Sequence, residues 1–142
     1  MDRQKSKTYR WEVSVVAPHD ITPVPFDQIE MIVKHVWEQE GLEYPPLVKR
    51  LNKKCRKGSA CAKRTKLKFH SETYTWIILH EMAHAMTMLS SGESNGHGSL
   101  FMGIFCQLLS RYLGFNFVDL VKTAQDAGLR VKPDASPVFL EK

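Results

Sequence analysis

The chain is organised around residues 71–89, which read SETYTWIILHEMAHAMTML and contain the pattern His80-Glu81-x-x-His84. This stretch has no proline or glycine and begins with acidic and hydroxyl residues, so it predicts a helix of about four to five turns. Positions i and i+4 lie on one face of a helix, so His80 and His84 can bind the same ion. Glu81, about 100° around that helix, can reach a ligand of the ion without binding the ion itself.

The pattern supplies two ligands, whereas a catalytic zinc ion takes three and leaves its fourth position for a water molecule of lowered pKa. Glu81 is expected to be the general base that accepts a proton from this water. Glu93 and His97 are both candidates for the third ligand. We favour His97, because Gly96 and Gly98 let the backbone turn beside it and a predicted helix follows. Glu93 lies within a loop rich in serine, glycine and asparagine.

A bare H-E-x-x-H pattern also arises by chance on surface helices. Here it lies within an apolar helix, and a third histidine follows in the next segment. A separate apolar face, ready to be buried, is formed by Ile78, Met82, Ala85 and Leu89. These features favour a genuine metal site over an accidental match.

Two segments of this region resemble a known group of metallopeptidases. His80-Glu-x-x-His84-Ala, a loop and His97-Gly-x-x-Phe101 are similar to the SprT-like zincin metallopeptidases, which include the Spartan DNA–protein-crosslink proteases. The chain is more similar still to a family of small, uncharacterised metallohydrolases of actinobacteria and their phages. Those share the Leu-His-Glu-x-Ala-His core, a Leu-Leu-x-x-Tyr-Leu-Gly helix and an ending like Ala127-Gly-Leu-Arg-Val131. The likeness covers residues 65–131 well and the first half only by its order of elements.

The resemblance implies one Zn²⁺ ion per chain, held by His80, His84 and His97, with Glu81 as general base in the hydrolysis of peptide bonds. It also implies a compact zincin-like domain. In zincins the strand before the motif helix lies at the sheet edge along the cleft, where an extended peptide can pair with it. The chain has Ser99 where SprT-like members often have proline or arginine.

Length and composition predict a single domain. The chain has 142 residues, of which 43% are hydrophobic, enough for one core in a domain of residues 1–142 with loose ends at 1–8 and 132–142. No run of about 18 apolar residues occurs, so no segment is expected to cross a membrane. The polar start and the three cysteines favour a cytoplasmic, reducing compartment. Cys106 is expected in the core, and Cys55 and Cys61 lack a second pair with which to form a zinc knuckle.

The net charge of +5 is concentrated in residues 49–68, which hold ten of the 20 basic residues and no acidic one. The rest of the chain has ten basic and 15 acidic residues and therefore a net charge of −5. Such a block is typical of a solvated segment, and also of a surface that contacts a phosphate backbone. The candidate nucleic-acid-binding residues are Lys53, Lys54, Arg56, Lys57, Lys63, Arg64, Lys66 and Lys68.

The remaining pattern predicts an α+β fold, with a small, mostly antiparallel sheet packed on the motif helix and on two to three further helices. The predicted strands are residues 11–16, which alternate apolar and polar, 47–51 and 60–70. The predicted helices, each followed by a glycine, are residues 26–40, 99–113 and 117–127.

Two functions from different classes fit these observations. The first is a zinc-dependent peptidase acting on a peptide or protein, with DNA contact through residues 49–68 as an extension. The second is a basic nucleic-acid-binding module whose metal is structural or catalytically dormant. The candidates for an oxyanion stabiliser are Arg111, Tyr112 and Arg130. The candidates for holding a ligand imidazole are Glu93, Asp119 and Asp126.

Overall fold

The computed structural model describes residues 2–52, 54, 60–88 and 96–138, which form a mixed α+β fold. The α-helices are α1 (Lys5–Trp11), α2 (Phe26–Gln39), α3 (Thr75–Met86), α4 (Ser99–Leu113) and α5 (Phe117–Asp126). The strands are β1 (Val24–Pro25), β2 (Leu47–Arg50), β3 (Ala60–Lys63), β4 (Lys66–Phe69) and β5 (Glu72–Thr73). Within these ranges no helix has the length and apolar character needed to cross a membrane.

The main sheet has three strands in the order β2-β4-β3, and a second, two-stranded sheet pairs β1 with β5. β3 and β4 form an antiparallel hairpin, whereas β2 runs parallel to β4. Leu67 and Phe69 of β4 are fully buried, while Lys66 and Lys68 are partly exposed, as the alternation of the sequence predicts. One face of this sheet therefore belongs to the core.

The strands differ from the prediction at two points. Residues 60–70 form two strands rather than one, because the chain turns after Lys63. The pairing of β2 with β4 is parallel, within a sheet that was predicted to be mostly antiparallel. The edge strand in contact with α3 is therefore β3, while β4, which carries Lys66 and Lys68, lies in the centre of the sheet.

The motif helix α3 lies in the core. The face predicted to be buried is fully buried at Ile78, Met82 and Ala85, and Leu89 lies outside the described residues. α3 has 12 residues, fewer than predicted, because the chain remains extended through β5 before the helix begins. The N–H of Trp76 in its first turn donates to a carboxylate oxygen of Asp20 at 2.8 Å. A residue distant in sequence therefore caps this helix.

α2, α4 and α5 follow the prediction closely, and each ends within one residue of the predicted boundary. The buried stripe of α2 comprises Ile29, Val33, Val36 and Trp37. Asn116 caps α5, since its side chain accepts a hydrogen bond from the N–H of Asp119 at 3.0 Å. Cys106 of α4 is fully buried, as expected for a core cysteine.

The segment after α5 packs on α4 at Gly103. A Cβ atom at this position would lie 1.8 Å from the carbonyl oxygen of Lys132, so the close approach requires glycine. Gln107 Nε2 donates to the carbonyl of Ala135 at 2.8 Å. Residues 132–135 of the predicted loose end therefore lie against α4, and residues 139–142 are outside the described residues.

The N-terminal region is helical, which corrects the prediction of a strand at residues 11–16. α1 continues into a π-helical turn, Glu12–Val16, and then a 3-10 turn, Ala17–His19. Within the predicted loose end 1–8, helix α1 already begins at Lys5, and residues 11–16 do not form a strand. The buried positions are Thr8, Trp11, Glu12 and Val16. They recur at helical spacing, but two of the four are polar, so the apolar residues alone gave the appearance of alternation.

Candidate metal centre

The imidazole rings of three histidines lie close together. α3 places His80 and His84 one turn apart on one face, and the turn before α4 brings His97 next to them. Their Nε2 atoms form a triangle with sides of 3.2 Å (His80–His84), 3.2 Å (His84–His97) and 3.3 Å (His80–His97). His80 and His97 are buried, and His84 is partly exposed. The structure thus brings the three predicted histidines within the distance at which one metal ion can bind them all.

The size of this triangle fits a tetrahedral ion. With metal–nitrogen bonds of about 2.0–2.1 Å, as for zinc, ligand atoms of a tetrahedral site lie about 3.3–3.4 Å apart. Burial, followed by the charge of a neighbouring imidazole, lowers the pKa of His80 to about 3 and that of His84 to about 2. These two rings are therefore neutral at pH 7 and present lone pairs at close range. A cation between the rings converts this repulsion into attraction.

Two carboxylates contact imidazole Nδ1 atoms, on the side of the rings that faces away from the triangle. Glu12 Oε2 contacts His80 Nδ1, and Asp2 Oδ2 lies 2.5 Å from His97 Nδ1. A carboxylate oxygen beside Nδ1 favours the tautomer with the proton on Nδ1, in which the Nε2 lone pair points to the centre of the triangle. The Glu12 side chain is only 4% exposed and that of Asp2 is 24% exposed. Carboxylates in this position are typical of histidine metal sites.

The loop around His97 is held by the N-terminal segment. Gly96 has a φ of +59°, which favours glycine, and a Cβ atom there would lie 2.6 Å from the Asp2 carboxylate. Gln4 Nε2 donates to the carbonyl of His97 at 2.7 Å, and Gln4 Oε1 accepts from the N–H of Arg130 at 2.6 Å. The chain before α1 and the chain after α5 therefore both fix the position of His97.

Aromatic rings close other sides of the centre. Phe101 stacks on His84, with ring centroids 4.4 Å apart and an interplanar angle of 26°. His84 has no carboxylate partner among the described residues, so its ring is oriented by packing rather than by a hydrogen bond. The Tyr9 ring lies edge-on to His97 at 5.2 Å. Walls of low polarity strengthen the attraction between an ion and its ligands.

Glu81 lies next to the triangle without belonging to it. Its Oε2 atom is 3.6 Å from His80 Nε2, and its side chain is buried. Burial, followed by the charge of Glu12, raises the pKa of Glu81 to about 8. Burial also raises the pKa of Glu12 to about 8.

A cavity of about 270 Å³ opens beside Glu81. The cavity is lined by Tyr9, Glu12, Ala60, Trp76, Ile77, His80 and Glu81. It therefore gives an entering molecule access to the buried carboxylate and to one corner of the triangle at the same time.

The oxyanion stabilisers suggested by the sequence have other partners. Arg111 and Tyr112 both contact Glu40, the tyrosine through a hydrogen bond of 2.7 Å. Arg130 is joined to Gln4 through its main-chain N–H and carbonyl. Among the described residues none of these three is brought to the histidines.

The prediction that Asp119 or Asp126 holds a ligand imidazole is wrong. Both lie on α5, and Asp126 forms an ion pair within that helix. Asp2 and Glu12 instead occupy the Nδ1 side of two of the rings. Glu93, the alternative third ligand, lies outside the described residues.

The lysines of the main sheet share one face. Lys49 pairs with Lys68, and Lys63 pairs with Lys66. Directly paired residues point to the same side of a sheet, as do residues i and i+2 of one strand. Lys49, Lys63, Lys66 and Lys68 therefore form a lysine face, on the side of the sheet opposite the core.

The other candidate basic residues do not join the lysine face. The Arg64 guanidinium lies over the Trp37 ring, 5.8 Å from its centroid. Lys54 is exposed in the loop after β2. The candidates outside the described residues are Lys53, Arg56 and Lys57, together with Cys55.

Four residues of the site were not predicted from the sequence, namely Asp2, Gln4, Tyr9 and Glu12. A helical interpretation of residues 5–16 would have placed Glu12 on a buried stripe, and a buried acid signals a partner. Asp2 and Gln4 precede the helix and carry no local pattern that relates them to His97.

The chain matches no protein-family model, no curated protein and no solved structure. Its function is therefore inferred from the geometry of this centre.

Proposed function

We propose that this protein is a zinc-dependent peptidase of the zincin type, in which His80, His84 and His97 hold the ion and Glu81 is the general base. The observation that carries the proposal is the triangle of Nε2 atoms, whose sides of 3.2–3.3 Å fit a tetrahedral ion beside a buried carboxylate. When bound, a zinc ion supplies a Lewis acid that polarises a carbonyl and lowers the pKa of water. The resemblance to SprT-like metallopeptidases supports a peptide bond as the substrate.

Side chains of the protein carry the proton transfers. Glu81 accepts a proton from the attacking water and passes it to the leaving amine. In the metal-free protein its pKa of about 8 keeps it mostly protonated at pH 7, and the positive charge of an ion favours the carboxylate. Glu12 and Asp2 keep the protons of His80 and His97 on Nδ1.

The position of β3 at the edge of the sheet favours an extended peptide as the substrate. In the main sheet β3 has one neighbour, β4, and Ala60 at its start lines the cavity beside Glu81. A peptide that adds to this edge as a further strand can present a carbonyl to the cavity. Such binding uses main-chain hydrogen bonds, so it favours unfolded or extended segments of protein.

The test combines metal content with cleavage. We expect about one zinc ion per chain in protein purified without added metal, and chelator-sensitive hydrolysis of labelled casein and other unfolded proteins. Glu81→Gln should retain zinc and lose at least about 100-fold in activity, because the general base is removed. Glu38→Gln, at an exposed position of α2, is the matched control and should keep both properties. Zinc binding without hydrolysis of any of these proteins would refute the peptidase function.

The lysine face favours a second candidate function, nucleic-acid binding. Its four ammonium groups lie on three neighbouring strands, an arrangement suited to a phosphate backbone. Ala60, which lines the cavity, pairs with Phe69 and therefore lies on the opposite face of the sheet. Nucleic acid on the lysine face would leave the cavity open, so the two functions are compatible.

Salt dependence tests this second function. We expect binding to duplex DNA with a slope of about −3 in log K against log salt concentration, if three to four lysines contact phosphates. Replacing Lys66 and Lys68 by glutamine should reduce that slope by about 2. The matched control replaces Lys34 and Lys122, which form ion pairs on α2 and α5, and should leave the slope unchanged. Equal slopes in both double variants would rule out the lysine face.

A further inference from the structure

Tyr9 lies at the mouth of the cavity beside the metal centre, on the helix that leads to Glu12. Its ring centroid is 5.2 Å from that of His97 and 6.2 Å from that of His80. It lines the cavity together with Glu81, and 44% of the residue is exposed. A molecule that enters the cavity therefore meets the Tyr9 ring next to the Glu81 carboxylate.

Within the described parts of the chain the Tyr9 hydroxyl forms no hydrogen bond. The ordinary pKa of a tyrosine hydroxyl is about 10, so the proton stays on the oxygen at neutral pH. An O–H group in such a position can donate to a ligand or to a reacting atom.

We propose that Tyr9 is a catalytic residue whose hydroxyl donates a hydrogen bond to the oxyanion formed during hydrolysis. This assignment rests on the peptidase function proposed above. When the water oxygen bonds to the carbonyl carbon, its proton goes to Glu81 and the π electron pair of the carbonyl moves to the carbonyl oxygen. Tyr9 donates to this negative oxygen and keeps its own proton. The bond strengthens as charge develops, so it stabilises the transition state more than the substrate.

Trp76 is the rival donor, because its indole ring lines the same cavity. The two residues differ in their distance from the metal centre. The Tyr9 ring contacts His80 and His97, whereas within the described ranges the Trp76 ring contacts neither. Tyr9 is therefore the donor next to the reacting atoms.

The test is binding of acetohydroxamate to the cobalt-substituted protein, followed by the d–d absorption of Co²⁺. This probe presents a negative oxygen to the metal centre and requires no knowledge of the natural substrate. We expect Tyr9→Phe to weaken acetohydroxamate binding about tenfold or more, since it removes a hydrogen bond to a charged group. Cobalt content and the spectrum without ligand should not change. Trp76→Phe, and Tyr44→Phe at a position 83% exposed, should bind the probe as the wild type does.

Cleavage of casein gives a second measurement. Tyr9→Phe should lower kcat by about 100-fold and change KM little, as expected for an interaction made only in the transition state. Equal acetohydroxamate affinity in Tyr9→Phe and wild type would overturn the assignment. So would a loss of affinity in Trp76→Phe instead, a loss of cobalt from Tyr9→Phe, or a wild type that takes up no cobalt.

The two proposals fail in different ways. A wild type that cleaves no protein, but loses acetohydroxamate affinity on Tyr9→Phe, would refute the peptidase function and keep Tyr9 as the oxyanion donor of a hydrolase with another substrate. Casein hydrolysis that is unaffected by Tyr9→Phe would support the peptidase function and refute the role of Tyr9 as oxyanion donor.

Discussion

Two regions build the candidate metal centre, and they are held in place by different forces. The ligand region (α3, His97 and α4) lies in the core, where Met82, Ala83 and Phe101 are fully buried. The support region (residues 2–12) lies closer to the surface and reaches His80 and His97 through hydrogen bonds. Packing fixes the positions of the ligand rings, and polar contacts fix their protons.

The positions of the three rings and the location of their protons therefore depend on different parts of the molecule. Apolar packing positions α3 and α4, and with them the rings of His80, His84 and His97. The support region adds no ligand, but it decides which nitrogen of His80 and His97 carries the proton. Removing an imidazole from the ligand region should therefore abolish metal binding, whereas removing a carboxylate from the support region should weaken it and leave the fold intact.

The largest expected effect is that of His97→Ala in the ligand region. We expect zinc content to fall from about one ion per chain to near zero, because two imidazoles remain where a zinc site needs at least three protein ligands. Elemental analysis of protein purified in parallel measures this, with Glu93→Ala as the matched control. Zinc that is kept in His97→Ala and lost in Glu93→Ala would identify Glu93 as the third ligand. The division into a ligand region and a support region would then be wrong.

The next effect is that of Glu12→Gln in the support region. We expect zinc affinity to fall by about 100-fold, at the upper end for an outer-shell carboxylate, because Glu12 is buried against His80. Competition with a chromophoric chelator measures the affinity. An affinity equal to that of Glu38→Gln would show that packing alone orients His80.

A smaller effect is expected for Asp2→Asn, about tenfold in zinc affinity, because Asp2 is more exposed than Glu12. Gly96→Ala should act by the same route, since a Cβ atom would displace the Asp2 carboxylate. A double-mutant cycle measures whether the two changes are coupled. We expect the double variant to be scarcely weaker than the stronger single variant, and strict additivity would contradict a shared route.

The smallest effect concerns pH and the zinc-free protein. The folded pKa values of Glu12 and Glu81, about 8, lie above their ordinary value of 4.5, so above pH 4.5 the folded state binds more protons and stability falls as the pH rises. His80 and His84 have the opposite sign, because their folded pKa values lie below 6.5, but their contribution is already complete above pH 6.5. Between pH 6.5 and 8.5 the carboxyl groups therefore decide the direction.

We expect the Tm of the zinc-free protein to fall between pH 6.5 and 8.5. Glu12→Gln should reduce that fall, and excess zinc should remove it, because the ion favours both carboxylates. Thermal unfolding at the two pH values measures the change. A Tm that rises over this range in the zinc-free protein would mean that the support region carries no destabilising buried acid.

The same division explains how much could be predicted from the sequence. His80, Glu81 and His84 follow from one helical spacing, and His97 from the glycines beside it. The contact of Glu12 with His80 spans 68 residues and that of Asp2 with His97 spans 95. No local sequence pattern predicts these carboxylates, because each only has to contact the Nδ1 atom of a histidine that is distant in sequence.

The fold shows a similar limit. α2, α4 and α5 were predicted because each carries its own apolar stripe and ends at a glycine. The parallel pairing of β2 with β4 is not specified by local residues, because β3 lies between these two strands in the sequence. The helix at residues 5–11 and the π-helical turn after it escaped prediction because polar Thr8 and Glu12 occupy two positions of their buried stripe.

Gln4 joins parts of the chain that leave the ribosome at very different times. Its side chain joins the carbonyl of His97 to the main chain of Arg130, which lies 126 residues further along the chain. We therefore expect the hydrogen bonds of Gln4 to be completed only after Arg130 has emerged from the ribosome. Contacts of such long separation form late and slowly. Metal capture should accordingly be among the last events of folding, after α3 and α4 have already packed.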